Sequence, residues 1–236
     1  MKSFLLLLLL LLFICPTSIS ANPLIQDPSY ILLERRLNDW PEWRLPGPFN
    51  QTALQKDIVY PSWFNGAWIV QSLDLNNPGN TSLEYEAKFK LNSFNEVVGD
   101  RSFNAFSVGK AVLGDKLLRV QDDPKSPNRQ MATFDEQRFL ETKVIGRNQS
   151  LKNGSVFFID ELALQIFHTL DVSRIKRVET LSKFHLCKQP SSTFEDSSEK
   201  KICGEQWQAI YPGPGESFGS KPTKTSHYEL IFKRSL

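Results

Sequence analysis

Residues 83–91, LEYEAKFKL, alternate without a break. Leu83, Tyr85, Ala87, Phe89 and Leu91 fall on one side, and Glu84, Glu86, Lys88 and Lys90 on the other. A period of two means a strand with one buried and one wet face. The C-terminal SHYELIFKR repeats the pattern more loosely, with Tyr228, Leu230 and Phe232 together. Residues 137–146, 155–168, 172–188 and 202–211 are also predicted strands, and 66–75, 115–121 and 128–134 shorter ones. Asn, Gly, Pro and Asp crowd the segments between them, as turns require.

Two segments break the period. SYILLERRLN, residues 29–38, reads as a short helix that Ser29 can cap, with Ile31, Leu32 and Leu33 as its apolar side. RSFNAFSVGKAVLG, residues 101–114, spaces Phe103, Phe106, Val108 and Val112 for a helix that ends at Gly114. Between the first helix and the strands, DWPEWRLPGPF carries three prolines and excludes regular structure.

Many strands, few helices and frequent turns imply an antiparallel all-β domain, with about eight to ten strands closing into a barrel. The chain divides into a leader (1–21), an N-terminal arm with the short helix (22–60) and the barrel domain (61–236). Trp40 and Trp43 are the side chains through which the arm should pack on the barrel.

The leader has a lysine at position 2, an unbroken apolar run from Phe4 to Ile14, Pro16, and small polar residues up to Ala21. That is the layout of a secretory signal, with cleavage between Ala21 and Asn22. The rival reading is a retained anchor, which the run is short for, since spanning a bilayer takes about 20 residues. Export makes a disulfide between Cys187 and Cys203 the preferred state of those thiols, with reduced cysteines as the alternative.

Composition adds little beyond class. Of 236 residues, 40% are hydrophobic and 23% charged, an ordinary globular balance. The net charge of +2 gives no reason to expect nucleic acid as a partner. Seventeen Phe and five Trp supply aromatic packing. The expected state is a monomer.

Catalytic signatures are missing from the sequence. There is no G-x-S-x-G elbow and no H-E-x-x-H, and His168, His185 and His227 stand apart. Neither a metal site nor a cofactor is expected. GPGESFGSK, residues 213–221, has the wrong glycine spacing for a phosphate loop, and Asp122-Asp123-Pro124 reads as a turn. Arg101, Asn104, Asn128 and Arg129 lie among apolar neighbours, so they either tie loops to the barrel or line a ligand pocket.

Gly66-Ala67-Trp68, at the start of the first strand, resembles the Gly-x-Trp signature of the lipocalins and wider calycins. The resemblance implies that Trp68 closes one barrel end beneath an arginine near the last strand, for which Arg234 is the candidate. VYPSWFNGAWIVQS, DRSFNAFSVGKAVLGD, DPKSPNRQ and RFLETKVIGR together resemble a domain-of-unknown-function family of cyanobacterial and chloroplast proteins. That resemblance implies the periplasm or thylakoid lumen and carries no reaction with it.

Three functions are compatible with this reading. The leading one is an exported lipocalin-like binding protein for a small apolar or amphipathic ligand such as a pigment, quinone or lipid. The next is an accessory factor making peripheral contact with a photosynthetic membrane complex, its barrel filled by side chains and its Trp-rich arm as the docking element. An enzyme acting on a lipid or carotenoid ranks last.

Overall fold

The computed structural model describes residues 27–49, 54, 56–77, 79, 81–188, 200–213, 215 and 221–235. The leader, with Ala21 and Asn22, lies outside them. Ten strands form one antiparallel sheet: β1 (Gly66–Asp74), β2 (Leu83–Leu91), β3 (Val97–Gly99), β4 (Arg119–Asp123), β5 (Ser126–Thr133), β6 (Phe139–Lys152), β7 (Val156–His168), β8 (Ser173–Leu186), β9 (Ile202–Tyr211) and β10 (Lys224–Arg234). Their order is β3-β2-β1-β10-β9-β8-β7-β6-β5-β4. The first long strand therefore pairs with the last, Trp68 opposite Arg234.

The antiparallel all-β architecture is the one the alternation predicts, but its closure differs from a continuous barrel. The sheet curls into a half-barrel, and no ladder joins β3 to β4 among the described residues. Helix α2 (Arg101–Leu113) connects those two edges and packs against both β2 and β4. Its side chains stand in for a neighbouring strand. Asn104 Oδ1 accepts from the Lys88 backbone N–H at 2.7 Å, and Asn104 Nδ2 donates to the Lys88 carbonyl at 3.0 Å. One turn later Ser107 Oγ accepts from the Glu86 N–H at 3.0 Å. Backbone groups that a closed barrel would satisfy by pairing are satisfied here by a helix face.

Antiparallel pairing sorts the turns onto two rims. The first holds the start of β1, the end of β10, and a disulfide between Cys187 and Cys203, whose Cα atoms are 5.0 Å apart. The second holds the β7–β8 turn and the entry to β4. Helix α2 runs from the first rim towards the second, because Asn104 meets Lys88 before Ser107 meets Glu86.

The two sheet faces bury separate cores. Inside the curl, Phe64, Trp68, Phe89, Phe157, Phe184 and Phe232 pack with Val70, Ile202 and Leu230. On the outer face, the arm and helix α1 (Pro28–Asn38) cover Phe158, Leu162, Leu181, Trp207 and Tyr211. Trp43 is fully buried there, with Trp40 packed edge-on against it at 4.7 Å.

Helix α1 differs in detail from its reading in the sequence. Asp27, not Ser29, is the cap, accepting from the Ser29 N–H at 3.0 Å. Tyr30, Leu33 and Arg36 face the sheet, whereas Ile31 and Leu32 are exposed. Spacing of three selects the buried side, and consecutive apolar residues cannot all lie on it.

Candidate functional site

The Gly66–Trp68–Arg234 cluster explains its own residue types. The Arg234 guanidinium lies 4.1 Å from the centre of the Trp68 ring, and its Nη1 donates to the Asn65 carbonyl at 2.6 Å. Trp68 is fully buried and donates its indole N–H to the Phe64 carbonyl at 2.6 Å. Gly66 has φ +117°, and a Cβ there would lie 2.0 Å from Arg234 Nη1. Only glycine lets the arginine lie flat over the indole. This cluster is a clamp across the first and last strands.

The pocket lies elsewhere, in the concave face beneath α2. It is about 190 Å³, and Asp57, Ile58, Tyr60, Arg101, Asn104, Asn128, Thr142, Val144, Arg147 and Glu161 are among its lining residues. Of the four polar residues singled out in the sequence, Arg101, Asn104 and Asn128 meet here. Arg129 does not. Strand alternation turns it to the outer face, where it bonds Glu141 at 2.8 Å and Asp123 at 3.0 Å.

Arg147 is the hub of the pocket wall and is almost wholly buried. It stands opposite Glu161 in the β6–β7 register and donates through Nε to Glu161 Oε1 at 2.8 Å. Its Nη2 donates to Asn128 Oδ1 at 2.7 Å and its Nη1 to the Lys56 carbonyl at 2.9 Å. One planar guanidinium thus joins β5, β6, β7 and the returning arm. Asn128 Nδ2 in turn donates to the Leu54 carbonyl, and Arg101, at the start of α2, pairs with Asp57.

Tyr60 marks the border between pocket and aromatic core. Its ring packs edge-on against Phe64 at 5.1 Å and Phe89 at 4.8 Å. Burial, with the Glu161 charge behind it, pushes its hydroxyl pKa well above the ordinary tyrosine value, so it remains a neutral donor. The hydroxyls of Tyr60 and Thr142 make no hydrogen bond among the described residues, although every other polar group of the wall named above has a partner. Two unspent hydroxyls, the Arg101 guanidinium and the apolar Ile58 and Val144 therefore face one small space. Such a surface can hold a polar group beside an apolar one.

Reading the sequence missed Arg147, Glu161, Tyr60 and Asp57. A signal for one of them was present: DE at 160–161 interrupts the otherwise apolar VFFIDELAL, whereas Arg147 sits in the mixed sequence KVIGRNQS. The histidines lie outside the pocket. His168 stacks on Phe139 at 4.3 Å and contacts Ser173 at 3.1 Å, while His227 stacks on Trp207 at 4.8 Å. Among the described residues no group of three or more His, Cys, Asp or Glu is placed to hold a metal ion.

Residues 73–236 match the model of a family described as a domain of unknown function, DUF6816, and the chain belongs to that family. No curated protein and no solved structure matches it.

Proposed function

For this member of the DUF6816 family we propose a non-enzymatic binding role, in which the concave-face pocket takes the end of a small amphipathic ligand. The observation that carries the reading is the pair of hydroxyls, Tyr60 and Thr142, that have no partner among the described residues and stand beside Arg101 in the pocket. The polar end would meet these three groups and the apolar part would lie on Ile58 and Val144. At about 190 Å³ the space is below the roughly 300–1,000 Å³ that encloses a drug-sized molecule. A headgroup or a short amphiphile suits it better than an entire pigment or tetrapyrrole.

The aromatic filling of the interior near Gly66 favours one alternative, an accessory factor that holds no ligand. Docking through the tryptophans of the arm is not part of it, since Trp43 is spent on the chain's own sheet. In either reading the leader delivers the chain to a periplasm or thylakoid lumen, and a mature N-terminus near Asn22 would support that.

The test is ligand binding. Protein purified from its native compartment is extracted with solvent and analysed by mass spectrometry. Amphiphiles found there are titrated against the refolded chain and against Tyr60→Phe and Thr142→Val. Each variant should lose about tenfold in affinity, one hydrogen bond's worth, while retaining thermal stability. An extract without amphiphiles, or binding indifferent to both substitutions, would leave the accessory reading in its place.

A further inference from the structure

The second rim carries exposed apolar side chains that the pocket does not use. At the β7–β8 turn, Leu170 is 72% and Val172 59% exposed, followed by Ile175 at 42%. At the corner between α2 and β4, Val112 and Leu118 are likewise more than half exposed. These two places share a rim. The Leu118 N–H bonds the Thr133 carbonyl, β5 leads through its turn to β6, and Phe139 at the start of β6 stands opposite His168. Beyond Arg177, which pairs with Tyr211, no ladder joins β8 to β9 among the described residues, although Pro212 and Gly213 still lie against Arg177 and Ile175.

A single exposed leucine is ordinary, but a turn with Leu170 and Val172 both exposed beside basic residues that form no ion pair among the described residues is a different surface. Lys116, Arg119, Arg174 and Lys176 are all exposed and form no ion pair among the described residues. Of the acids on this rim, Asp115 is held by Lys110 and Asp135 by Arg138, which leaves Asp171 in the turn and Glu136 beyond β5 against the four cations. What remains is an apolar tip with a surplus of positive charge around it.

We propose that this rim docks on an anionic lipid surface, the β7–β8 tip inserting Leu170 and Val172 between headgroups while Arg174, Lys176, Lys116 and Arg119 meet lipid phosphates or acidic headgroups. Charge complementarity selects that occupant over a second copy of this chain, whose rim would bring the same positive ring against itself. Short apolar insertion and basic attraction are each weak alone and bind reversibly together. This inference does not depend on what the pocket holds.

The experiment is flotation of the mature chain, residues 22–236, with vesicles of neutral phosphatidylcholine and with vesicles containing one third phosphatidylglycerol. The chain should float with the anionic vesicles and not with the neutral ones, and 0.5 M salt should release it. Leu170→Ser with Val172→Ser should weaken partitioning by about tenfold or more. Arg174→Glu with Lys176→Glu should weaken it by about fivefold per residue. Thermal unfolding of each variant should match the parent, since all four side chains are exposed. No flotation with anionic vesicles would overturn the proposal, as would flotation unaffected by either pair. Sedimentation showing a dimer that the Leu170 and Val172 substitutions dissociate would assign the rim to a second copy instead and equally overturn it.

Discussion

Replacing Arg36 with Met should be among the most damaging single changes outside the concave core. Arg36 projects from α1 into the outer-face cluster and holds Glu179 with two bonds, Nε to Oε1 at 2.7 Å and Nη2 to Oε2 at 2.6 Å. Glu179 is fully buried, and its other partner is the Tyr211 hydroxyl at 2.6 Å. Asp160 lies in the same cluster, fully buried, with neither oxygen hydrogen-bonded among the described residues. Burial, then the neighbouring Glu179 charge, raises its pKa well above the ordinary carboxylate value, so it is held protonated. Arg36 is thus the cation that faces both buried carboxyl groups. Removing it strands Glu179, and stranding one member of a buried pair costs about 3–5 kcal/mol. Removing the whole polar set is a different perturbation. Arg36→Met, Glu179→Leu and Tyr211→Phe together remove the Glu179 charge and the Tyr211 hydroxyl along with their partner, leaving the Asp160 carboxyl, which has no hydrogen bond among the described residues of the parent either, and an apolar set of similar volume is often neutral or stabilising. Urea unfolding followed by tryptophan fluorescence reads both, because Trp43 and Trp207 sit in this cluster. The single variant should lose about 3–5 kcal/mol, and the triple variant should return to within about 1 kcal/mol of the parent. A triple variant at least as unstable as the single one would refute the reasoning.

Asp160 gives a pH prediction of definite sign. Its folded pKa is raised, so between pH 3.8 and that folded value only the unfolded chain releases the proton. Stability falls as pH rises through that window, by up to about 1.4 kcal/mol per pH unit. Asp160→Asn removes the effect, so it should stabilise the chain at pH 7 and give no gain near pH 3; a pH-independent difference in urea unfolding would contradict this. At the clamp, a double-mutant cycle of Trp68→Phe with Arg234→Lys should yield a coupling of about 1–2 kcal/mol, and zero coupling would show that the stack is geometric only. Asn104→Ala should cost about 1–3 kcal/mol in thermal or urea unfolding, because it strands the Lys88 N–H at a sheet edge, while the Lys88 carbonyl keeps the Asp100 N–H at 2.8 Å; a neutral outcome would mean water replaces the lost bond.

Most of the architecture was legible because alternation is a local signal. Residues 83–91 and 202–211 coincide with β2 and β9, and the helix read at 101–114 is α2. Strand β3 has three residues, too few for any period to show. Closure was not legible, because a helix acting as an edge strand depends on where Asn104 and Ser107 land, and nothing in RSFNAFSVGK announces that. The pocket was half legible. Arg101, Asn104 and Asn128 stood out as polar residues in apolar surroundings. Arg147 was hidden by the register shift between Val144 and Gly146, which changes the side to which later residues of β6 point. Asp160 and Glu161 are neighbours in sequence that end on opposite faces, one under the arm and one in the pocket. The Arg36–Glu179 pair spans 143 positions, and no spacing rule reaches that far.

The disulfide has a consequence for how this chain tolerates change. Cys187 and Cys203 are joined at the end of β8 and the start of β9, and the Cys187 N–H bonds the Lys201 carbonyl at 2.9 Å. The ladder between β8 and β9 is therefore fixed in register by a covalent bond and a backbone bond at its own terminus. Its alignment rests on Lys201, Ile202 and the two cysteines, and not on the length of chain between Lys188 and Lys200. A reporter, an epitope or a longer native sequence spliced in there should therefore leave the pairing of Phe184 with Gly204 and Leu181 with Trp207 in place.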